Sequence, residues 1–295
     1  MNERIEGFAE LLAGGGSFIL TGAGISTGSG IPDYRGPDGR HRDDRPMTID
    51  RFLASDDDQR AYWARSHIGW ERFRHAAPNA AHRAVTELQR AGLTAGVVTQ
   101  NVDGLHVAAG ATDVIEIHGR LDEVVCLDCG ELTGRDELAQ RLEKRNPGFR
   151  DEVSADETAV RPDGDILLHA HDIARFTFVG CATCGGQLKP GVVMFGEQVP
   201  RDRYARARGL VDEARSLVVL GSSLSVGSGY RIVLDAAARG IPIAVVNRGH
   251  SRGDAHATIR IDDDLCDVLP AVAESVTGAV QDPSIPTVAT IVASG

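Results

Sequence analysis

The chain has 295 residues, of which 42% are hydrophobic and 25% charged, a composition typical of globular proteins that excludes wholesale disorder. The length predicts about two domains, or one domain with a large insertion. The net charge of −11 argues against direct binding to nucleic acid or an anionic membrane, but suits basic partners such as lysine-bearing peptides. We expect a cytoplasmic protein, because no secretory signal or membrane-spanning run is recognisable.

Short apolar runs alternate with helical patterns along the chain. The predicted strands cover residues 17–20, 95–99, 114–117, 192–195, 217–220, 241–246 and 258–261, and the predicted helices include 80–90, 203–214, 230–239 and 264–275. Most of these strands are continuous apolar runs, as in parallel sheets buried on both faces. The alternation predicts an α/β fold with an open, doubly wound parallel (Rossmann-like) sheet.

Two segments interrupt the alternation. Residues 36–75 are polar with aromatic side chains at helical spacings, and residues 121–188 hold two cysteine pairs. We expect residues 1–35, 76–120 and 189–276 to form the α/β domain. The helical insertion 36–75 and the zinc-binding insertion 121–188 would form a smaller domain, and residues 277–295 a flexible tail.

Four of the five cysteines form two C-x-x-C pairs, Cys126 with Cys129 and Cys181 with Cys184. Without a secretory signal, metal-binding thiolates are expected rather than disulfides. The spacing is that of zinc knuckles, and a glycine follows each pair at the tight turn. Four thiolates close the coordination shell, so the sequence predicts one structural Zn²⁺ and no catalytic metal.

Small and polar residues follow the predicted strands. They include Gly22, Gly24, Gln100, Asn101, Asp103, His118, Ser222, Ser223 and Asn247. Ligands of open α/β sheets bind outside the carboxyl ends of the strands, so these residues are expected to converge on one site. Gly22 and Gly24 would let backbone N–H groups approach a pyrophosphate. A dehydrogenase is disfavoured, because Thr27 replaces the Gly or Ala of that fingerprint.

His118 directly follows a predicted strand. An ordinary histidine pKa of about 6.5 suits a general base near neutral pH. His106 is a weaker candidate, since it lies further from a strand end on a predicted helix. A histidine satisfied in the core is the other interpretation of His118.

Together these motifs resemble the sirtuins, which are NAD-dependent protein lysine deacylases. The matching strings are GAGISTGSGIPDYR (22–35), TQNVDGLH (99–106), His118-Gly119, the two C-x-x-C pairs, KPGVVMFGE (189–197), GSSLSV (221–226) and VVN (245–247). They occur in the family's order over nearly the whole chain. The GIPDYR form and the long stretch between the cysteine pairs are most similar to the class II branch, which includes mitochondrial sirtuins.

The resemblance implies that NAD binds along the sheet edge. Its contacts would come from Gly22, Ala23, Gly24, Ser26, Asp33, Tyr34, Arg35, Gln100, Asn101, Val102, Asp103, Gly221, Ser222, Ser223, Asn247 and Cys266. Within this set, Gln100 would hold the nicotinamide ribose, Asp103 the carboxamide and Cys266 the adenine.

The resemblance also implies the reaction, which removes an acetyl or other acyl group from a protein lysine. Catalysis would depend on His118, Asn101 and Gln100, with His118 taking a proton from the ribose. NAD would be consumed as a co-substrate, giving nicotinamide, free lysine and O-acyl-ADP-ribose. The substrate peptide would add as a strand along Val192, Val193, Phe195 and Gly196.

Two other functions are weighed against deacylation. A protein mono-ADP-ribosyltransferase would use the same NAD site, and the sequence barely separates the two. A zinc-knuckle binding module with a degenerate cofactor site is disfavoured by the intact polar residues at the strand ends. The expected partners are acyl-lysine proteins, without direct contact to nucleic acid or membrane, and a monomer is compatible with the sequence.

The acyl group is left open. Sirtuins that prefer negatively charged acyl groups carry a Tyr and an Arg three residues apart in the helical insertion. Tyr62 and Arg65 have this spacing, but the surrounding residues do not match the family's motif. A dedicated desuccinylase is therefore not predicted, and long or branched acyl groups stay open.

Overall fold

The computed structural model describes residues 3–34, 46–153 and 163–281. In chain order the strands are β1 (Ser17–Thr21), β2 (Thr94–Thr99), β3 (Val114–Glu116), β4 (Gly119–Cys126), β5 (Leu132–Gly134), β6 (Leu188–Val192), β7 (Ser216–Leu220), β8 (Ile243–Val246) and β9 (Ile259–Ile261). The helices are α1 (Glu3–Ala13), α2 (Ile49–Ala54), α3 (Asp56–Phe73), α4 (Ala80–Arg90), α5 (Leu105–Ala108), α6 (Arg135–Arg145), α7 (Phe149–Glu152), α8 (Ala170–Arg175), α9 (Arg201–Glu213), α10 (Gly227–Ala238) and α11 (Leu265–Gln281), with 3-10 helices at Ala23–Ser29 and Arg252–His256.

Six strands form a parallel sheet in the order β3-β2-β1-β7-β8-β9. Successive side chains of a strand point to opposite faces, so Ile19 packs with α1, α4 and α11, whereas Phe18 and Leu20 pack with α9 and α10. Helices therefore cover both faces. The predicted doubly wound, Rossmann-like fold is confirmed.

The strand order reverses between β1 and β7, which are neighbours in the sheet but far apart in sequence. At such a switch point the loops that follow the two strands diverge and leave a crevice at the carboxyl edge. The fold thus places the turn after Thr21 opposite the turn after Leu220.

Local sequence explains why α4 has its predicted bounds. Asn79 caps the helix, since its side chain accepts hydrogen bonds from the N–H groups of Ala81 and His82. The Asn79 N–H in turn donates to the imidazole of His82, which completes a capping box. Apolar residues at helical spacing then bury Val85 and Leu88 against the sheet.

A second, antiparallel sheet has the order β5-β4-β6. Its core combines Phe52 and Trp63 from the helical segment with Cys126, Leu142 and Phe176 from the cysteine-bearing segment. The two insertions therefore share one hydrophobic core beside the parallel sheet.

The predicted strand at residues 192–195 is wrong. The observed strand is β6, which ends at Val192 and belongs to the antiparallel sheet. Val193, Met194 and Phe195 line the cavity described below, so their continuous apolar pattern imitates a buried strand. β4 and β5 correspond to no predicted strand.

The element ends also differ from the predicted divisions of the chain. β4 and β6 run across the expected boundaries at residues 120–121 and 188–189. α11 continues to Gln281, past residue 277 where the tail was expected to begin, and residues 282–295 lie outside the described part of the chain. Across the three described ranges, no helix is both long and apolar enough to cross a membrane.

Candidate functional site

A cavity of about 1720 Å³ opens at the carboxyl edge of the parallel sheet. Its wall includes Asn247, Tyr62 and the turns that follow β1, β2 and β7. Pockets for drug-sized ligands occupy about 300–1,000 Å³. The cavity is thus large enough for a dinucleotide and part of a second substrate.

The glycine turn after β1 packs directly against the turn after β7. A Cβ at Gly24 would lie 2.8 Å from Cα of Gly221, and one at Gly22 would lie 2.7 Å from Cβ of Ser222. The N–H groups of Gly22 and Gly24 donate to the carbonyls of Leu220 and Gly221. These glycines permit close packing of the two turns, and their own N–H groups are already engaged. That this turn meets a pyrophosphate stays a prediction.

Ser26 links the side chains of Asn101 and Asp103 at the floor of the cavity. Its hydroxyl donates to Oδ2 of Asp103 over 2.7 Å and accepts from Nδ2 of Asn101 over 3.0 Å. Oδ1 of Asp103 accepts the N–H of Leu105. Burial raises the pKa of the Asp103 carboxyl, and these hydrogen bonds oppose the rise. Asn101 and Asp103 are therefore held in fixed orientations.

His82 extends this network and was missed by the sequence interpretation. Its Nε2 lies 3.5 Å from Oγ of Ser26, whose single proton already points to Asp103. Nε2 must therefore carry a proton and donate it, which leaves Nδ1 to accept the N–H of Asn79. Burial lowers the pKa of His82 to about 3, so the ring is neutral.

His118 is held at both ring nitrogens. Nδ1 lies 2.8 Å from the carbonyl oxygen of Gln100, which can only accept, so Nδ1 carries the proton. Nε2 of the neutral ring then accepts from the Ser228 hydroxyl over 2.7 Å. Burial lowers the pKa of His118, the Arg203 guanidinium lowers it further, and the Gln100 bond opposes both. His118 is therefore a neutral base with Nε2 as its basic atom.

Gln100 connects the three turns. Its Nε2 donates to Oγ of Ser222 over 2.8 Å and to the carbonyl of Thr21 over 3.3 Å. Gly229 leaves room for this side chain, since a Cβ there would collide with the Gln100 amide. The turns after β1, β2 and β7 thus form one rigid floor.

The structure brings nearly all of the predicted nucleotide-binding residues to the cavity wall. These are Gly22, Ala23, Gly24, Ser26, Asp33, Tyr34, Gln100, Asn101, Val102, Asp103, Gly221, Ser222, Ser223 and Asn247. Cys266 is not brought there: its Sγ lies behind the 3-10 helix, 2.6 Å from where a Cβ of Gly28 would stand. Arg35 lies outside the described residues.

The predicted peptide-binding residues Val192, Val193, Phe195 and Gly196 also line the cavity. The N–H of Val193 donates to the carbonyl of His118 over 2.7 Å, which ties this segment to the base. The ring of Tyr34 meets that of Phe195 edge-on at 5.9 Å. A peptide bound here would lie beside both His118 and the nucleotide-binding floor.

The four paired cysteines form a compact cluster away from this cavity. All four Sγ atoms lie within 4.8 Å of one another, with 3.5 Å between Cys126 and Cys184 and 3.8 Å between Cys129 and Cys181. Tetrahedral zinc with Zn–S distances of about 2.3 Å separates its ligands by about 3.8 Å. The cluster therefore fits a closed, structural Zn²⁺ site.

The turns after the cysteine pairs have the predicted form. Gly130 and Gly185 have positive φ angles of 75° and 76°, which favour glycine. Their N–H groups donate to the carbonyls of Cys126 and Cys181, each four residues back. Each pair is thus held by its own tight turn.

The arrangement as a whole defines a class of enzyme. A floor suited to a nucleotide lies next to a neutral histidine base, and the segment of residues 192–196 lines the same cavity beside that base. Such a site can hold a dinucleotide next to a peptide, and its histidine can accept a proton during a reaction between the two.

Comparison with known proteins identifies the family. A model of the Sir2 family matches residues 22–228. A Streptomyces coelicolor protein named NAD-dependent protein deacetylase 1 is 52% identical over 266 residues, covering 90% of this chain and 88% of its own. A Mycobacterium avium protein of the same name is 49% identical over 268 residues, covering 90% and 94%. The chain belongs to the Sir2 family.

Solved structures agree with this assignment. One described as "Sir2-p53 peptide-NAD+" matches with a TM-score of 0.72 and 30% identity, covering 92% of this chain and 98% of its own. Another, a Sir2 homolog in complex with NAD, matches with a TM-score of 0.71 and 27% identity, covering 94% and 95%. The sirtuin family and fold expected from the motifs are confirmed.

Proposed function

We propose that this chain removes acyl groups from lysine side chains of proteins and consumes NAD in doing so. The products are nicotinamide, free lysine and O-acyl-ADP-ribose, so the enzyme is a transferase of the acyl group. The observation that carries the proposal is the neutral His118, whose Nε2 faces a cavity shared by a nucleotide floor and a peptide-binding segment. The names of the relatives point to the same activity.

The residues present fit NAD. The floor offers the amides of Gln100 and Asn101 and the carboxyl of Asp103, with the close-packed glycine turn beside them. NAD supplies an electrophilic ribose carbon with nicotinamide as leaving group. Asn101 and Asp103, which the Ser26 network fixes, would hold the nicotinamide end, and Asn247, which also lines the cavity, would meet the adenosine.

His118 supplies the base. Because its Nδ1–H is fixed by the Gln100 carbonyl, Nε2 is free to accept a proton from a ribose hydroxyl once the Ser228 hydroxyl turns away. The imidazolium formed keeps its Nδ1 hydrogen bond to Gln100, which stabilises the charge. Gln100 thereby couples the nucleotide floor to the base.

The family branch, the cellular location, the oligomeric state and the partners are proposed from the sequence. The GIPDYR string and the long stretch between the cysteine pairs support the branch that includes mitochondrial sirtuins, while many relatives come from bacteria. We further propose a cytoplasmic enzyme, monomeric in solution, that acts on acyl-lysine proteins without contacting nucleic acid or membrane. The acidic net charge supports basic protein partners.

Incubation with NAD and acyl-lysine peptides, followed by mass spectrometry, tests the proposal. We expect deacylated peptide and O-acyl-ADP-ribose in equal amounts, and loss of both in His118→Ala. His171→Ala is the matched control, because His171 is exposed on α8 and away from the cavity. ADP-ribose attached to protein without deacylation would instead indicate a mono-ADP-ribosyltransferase.

A further inference from the structure

One face of α9 borders the cavity. The lining residues of this helix follow one another at spacings of three, one and three, and they are Arg201, Tyr204, Ala205 and Arg208. Residues three and four apart lie on the same side of a helix. Arg201 and Arg208 are both exposed, so their guanidinium groups stand at the rim of the cavity and not in its interior.

The helix α10 adds a third arginine close to the base. Ser228, in the first turn of this helix, donates to Nε2 of His118 over 2.7 Å. Arg231 lies three residues further along, on the same side of the helix, and it also lines the cavity. Arg231 is exposed as well. The three residues Arg201, Arg208 and Arg231 are called the arginine rim below.

Tyr204 shows that the arginines of the two helices act at the same place. Burial raises the pKa of its phenol, and the carboxylate of Asp235 raises it further. The guanidinium groups of Arg231 and Arg208 lower it. Charges from both α9 and α10 therefore reach one side chain of the cavity wall.

Two of the three rim arginines have no carboxylate partner among the described residues. Asp235 pairs with Nε of Arg208 over 3.0 Å. No carboxylate oxygen of the described ranges lies within 4.0 Å of a guanidinium nitrogen of Arg201 or Arg231. Asp202 follows Arg201 in the chain but does not belong to the lining face of α9. Arg201 and Arg231 can therefore bind a carboxylate that arrives with a ligand.

The peptide-binding segment leads directly into the arginine rim. Residues 192–199 all line the cavity, and α9 begins two residues later with Arg201. Glu197 is the one carboxylate in this stretch, and it lies 2.9 Å from Nζ of Lys189. A peptide that lies along residues 192–196 therefore passes next to the rim.

We propose that the arginine rim selects acyl-lysine peptides that carry Asp or Glu within about two residues of the modified lysine. Guanidinium groups bind carboxylates through paired hydrogen bonds as well as through charge. Because the rim is exposed, it meets side chains of the peptide outside the cavity, while the acyl group enters it. The inference rests on the proposed deacylase function and names the class of peptide that this site takes.

The arginine rim opposes the charge of the whole chain. The net charge of −11 favours basic proteins as partners, but at physiological ionic strength charges are screened over about 8 Å. Side chains next to the acyl-lysine therefore respond to the nearby arginines more than to the net charge. A basic protein with an acidic residue beside its acyl-lysine satisfies both requirements.

Deacetylation of three peptides tests the inference. The peptides differ only in the two residues on each side of acetyl-lysine, which are all Glu, all Gln or all Lys. The measured quantity is the ratio of kcat/KM for the Glu peptide to that for the Gln peptide. Exposed ion pairs are weak singly, so we expect a wild-type ratio of about threefold or more at low salt, which falls as salt is added. Arg231→Glu should invert this preference, so that the Lys peptide becomes the best of the three.

Arg206→Glu is the matched control, because Arg206 is an exposed arginine of α9 outside its lining face. It makes the same change of charge, and its ratio should stay close to that of the wild type. Arg201→Glu is a second test and should lower the ratio.

A wild-type ratio near one, or equal ratios in Arg231→Glu and Arg206→Glu, would overturn the inference while leaving NAD-dependent deacylation intact. No turnover of any acyl peptide by the wild type would instead refute the proposed function. Calorimetric affinities of the wild type and Arg231→Glu for the same three peptides would then decide whether the arginine rim selects acidic peptides.

Discussion

The hydroxyl of Ser228 lies 2.7 Å from Nε2 of His118 and donates a hydrogen bond to it. The donor role follows from the other side of the ring, where Nδ1–H is committed to the Gln100 carbonyl. Ser228 therefore stabilises the neutral, basic form of His118 in the absence of substrate. The serine lies in the first turn of α10, whereas the histidine follows β3. The protonation state of the base therefore depends on the packing of two parts of the chain that are distant in sequence.

The pH dependence of the reaction should reflect the lowered pKa of His118. The neutral base persists to more acidic pH, so the acid limb of kcat/KM is expected to lie below pH 6.5. Ser228→Ala removes a hydrogen bond worth about 1 kcal/mol to the neutral ring, which should move this limb upward by about half a pH unit or more. An acid limb at the same pH in both proteins would contradict this role of Ser228.

Loss of one knuckle cysteine should release the metal. Cys126 is nearly fully buried in the core of the smaller domain, so Cys126→Ala is expected to lose Zn²⁺ and destabilise that domain. Metal analysis of the purified protein should find one zinc per chain in the wild type. Cys266→Ala is the control, and it should keep its zinc; zinc retained in Cys126→Ala would refute the four-thiolate site.

Buried neutral histidines should make the fold sensitive to acid. Burial lowers the pKa of His67 and His82 to about 3 and that of His106 to about 4. The unfolded chain binds these protons near pH 6.5, so the stability is complete above pH 6.5 and falls as the pH drops below it. Each histidine contributes up to about 1.4 kcal/mol per pH unit in this window.

Urea unfolding at pH 7 and pH 5 measures this loss. His106 is 2% exposed and is one of the buried histidines that make the fold sensitive to acid. In His106→Gln, the loss of unfolding free energy between pH 7 and pH 5 should therefore be smaller by about the contribution of one histidine. His171→Gln changes an exposed histidine and should leave the pH dependence of the unfolding free energy unchanged. Equal stability of the wild type at both pH values would contradict the expectation.

Elements with strong local signals were predictable from the sequence. The 80–90 helix is one, because its cap at Asn79 and its apolar spacing are both local. β4 was not, since its residues alternate irregularly between buried and exposed and its partner β6 lies about 60 residues away. Pairing at that separation is fixed by the cysteine knuckles, which the sequence locates but does not orient.

The residues of the site likewise include some that could be predicted from the sequence and some that could not. Gln100, Asn101, Asp103 and His118 were predictable because the carboxyl ends of parallel strands meet at one edge. Ser228 and His82 were not, because they lie in helices α10 and α4 and their roles depend on contacts with distant residues that no local pattern encodes.

The contact between the two glycine turns should tolerate no side chain. Gly24→Ala would place a Cβ 2.8 Å from backbone Cα of Gly221, which has a φ of 61° and little freedom to move. Overpacking of this kind costs about 1–3 kcal/mol. We expect a lower melting temperature and NAD binding weakened at least tenfold, measured by calorimetry.

The control for this substitution is Gly209→Ala. Gly209 lies within α9 with nothing within 4 Å of its added Cβ, so alanine should stabilise the helix by up to about 1 kcal/mol. NAD affinity should equal that of the wild type. Normal NAD binding by Gly24→Ala would contradict the prediction, because it would show that the two turns can move apart without a loss of NAD affinity.

The peptide-binding segment is pinned by an ion pair that the reaction itself does not use. Nζ of Lys189, which is 6% exposed, lies 2.9 Å from Oε2 of Glu197, and the same oxygen accepts the N–H of Met194 over 2.9 Å. Glu197→Gln weakens both contacts, so the KM for peptide should rise several-fold. The KM for NAD should stay within about twofold, because the nucleotide floor does not depend on Glu197. Glu213→Gln, on the exposed end of α9, should change neither constant, and an equal rise of both KM values in Glu197→Gln would show general loosening of the cavity instead.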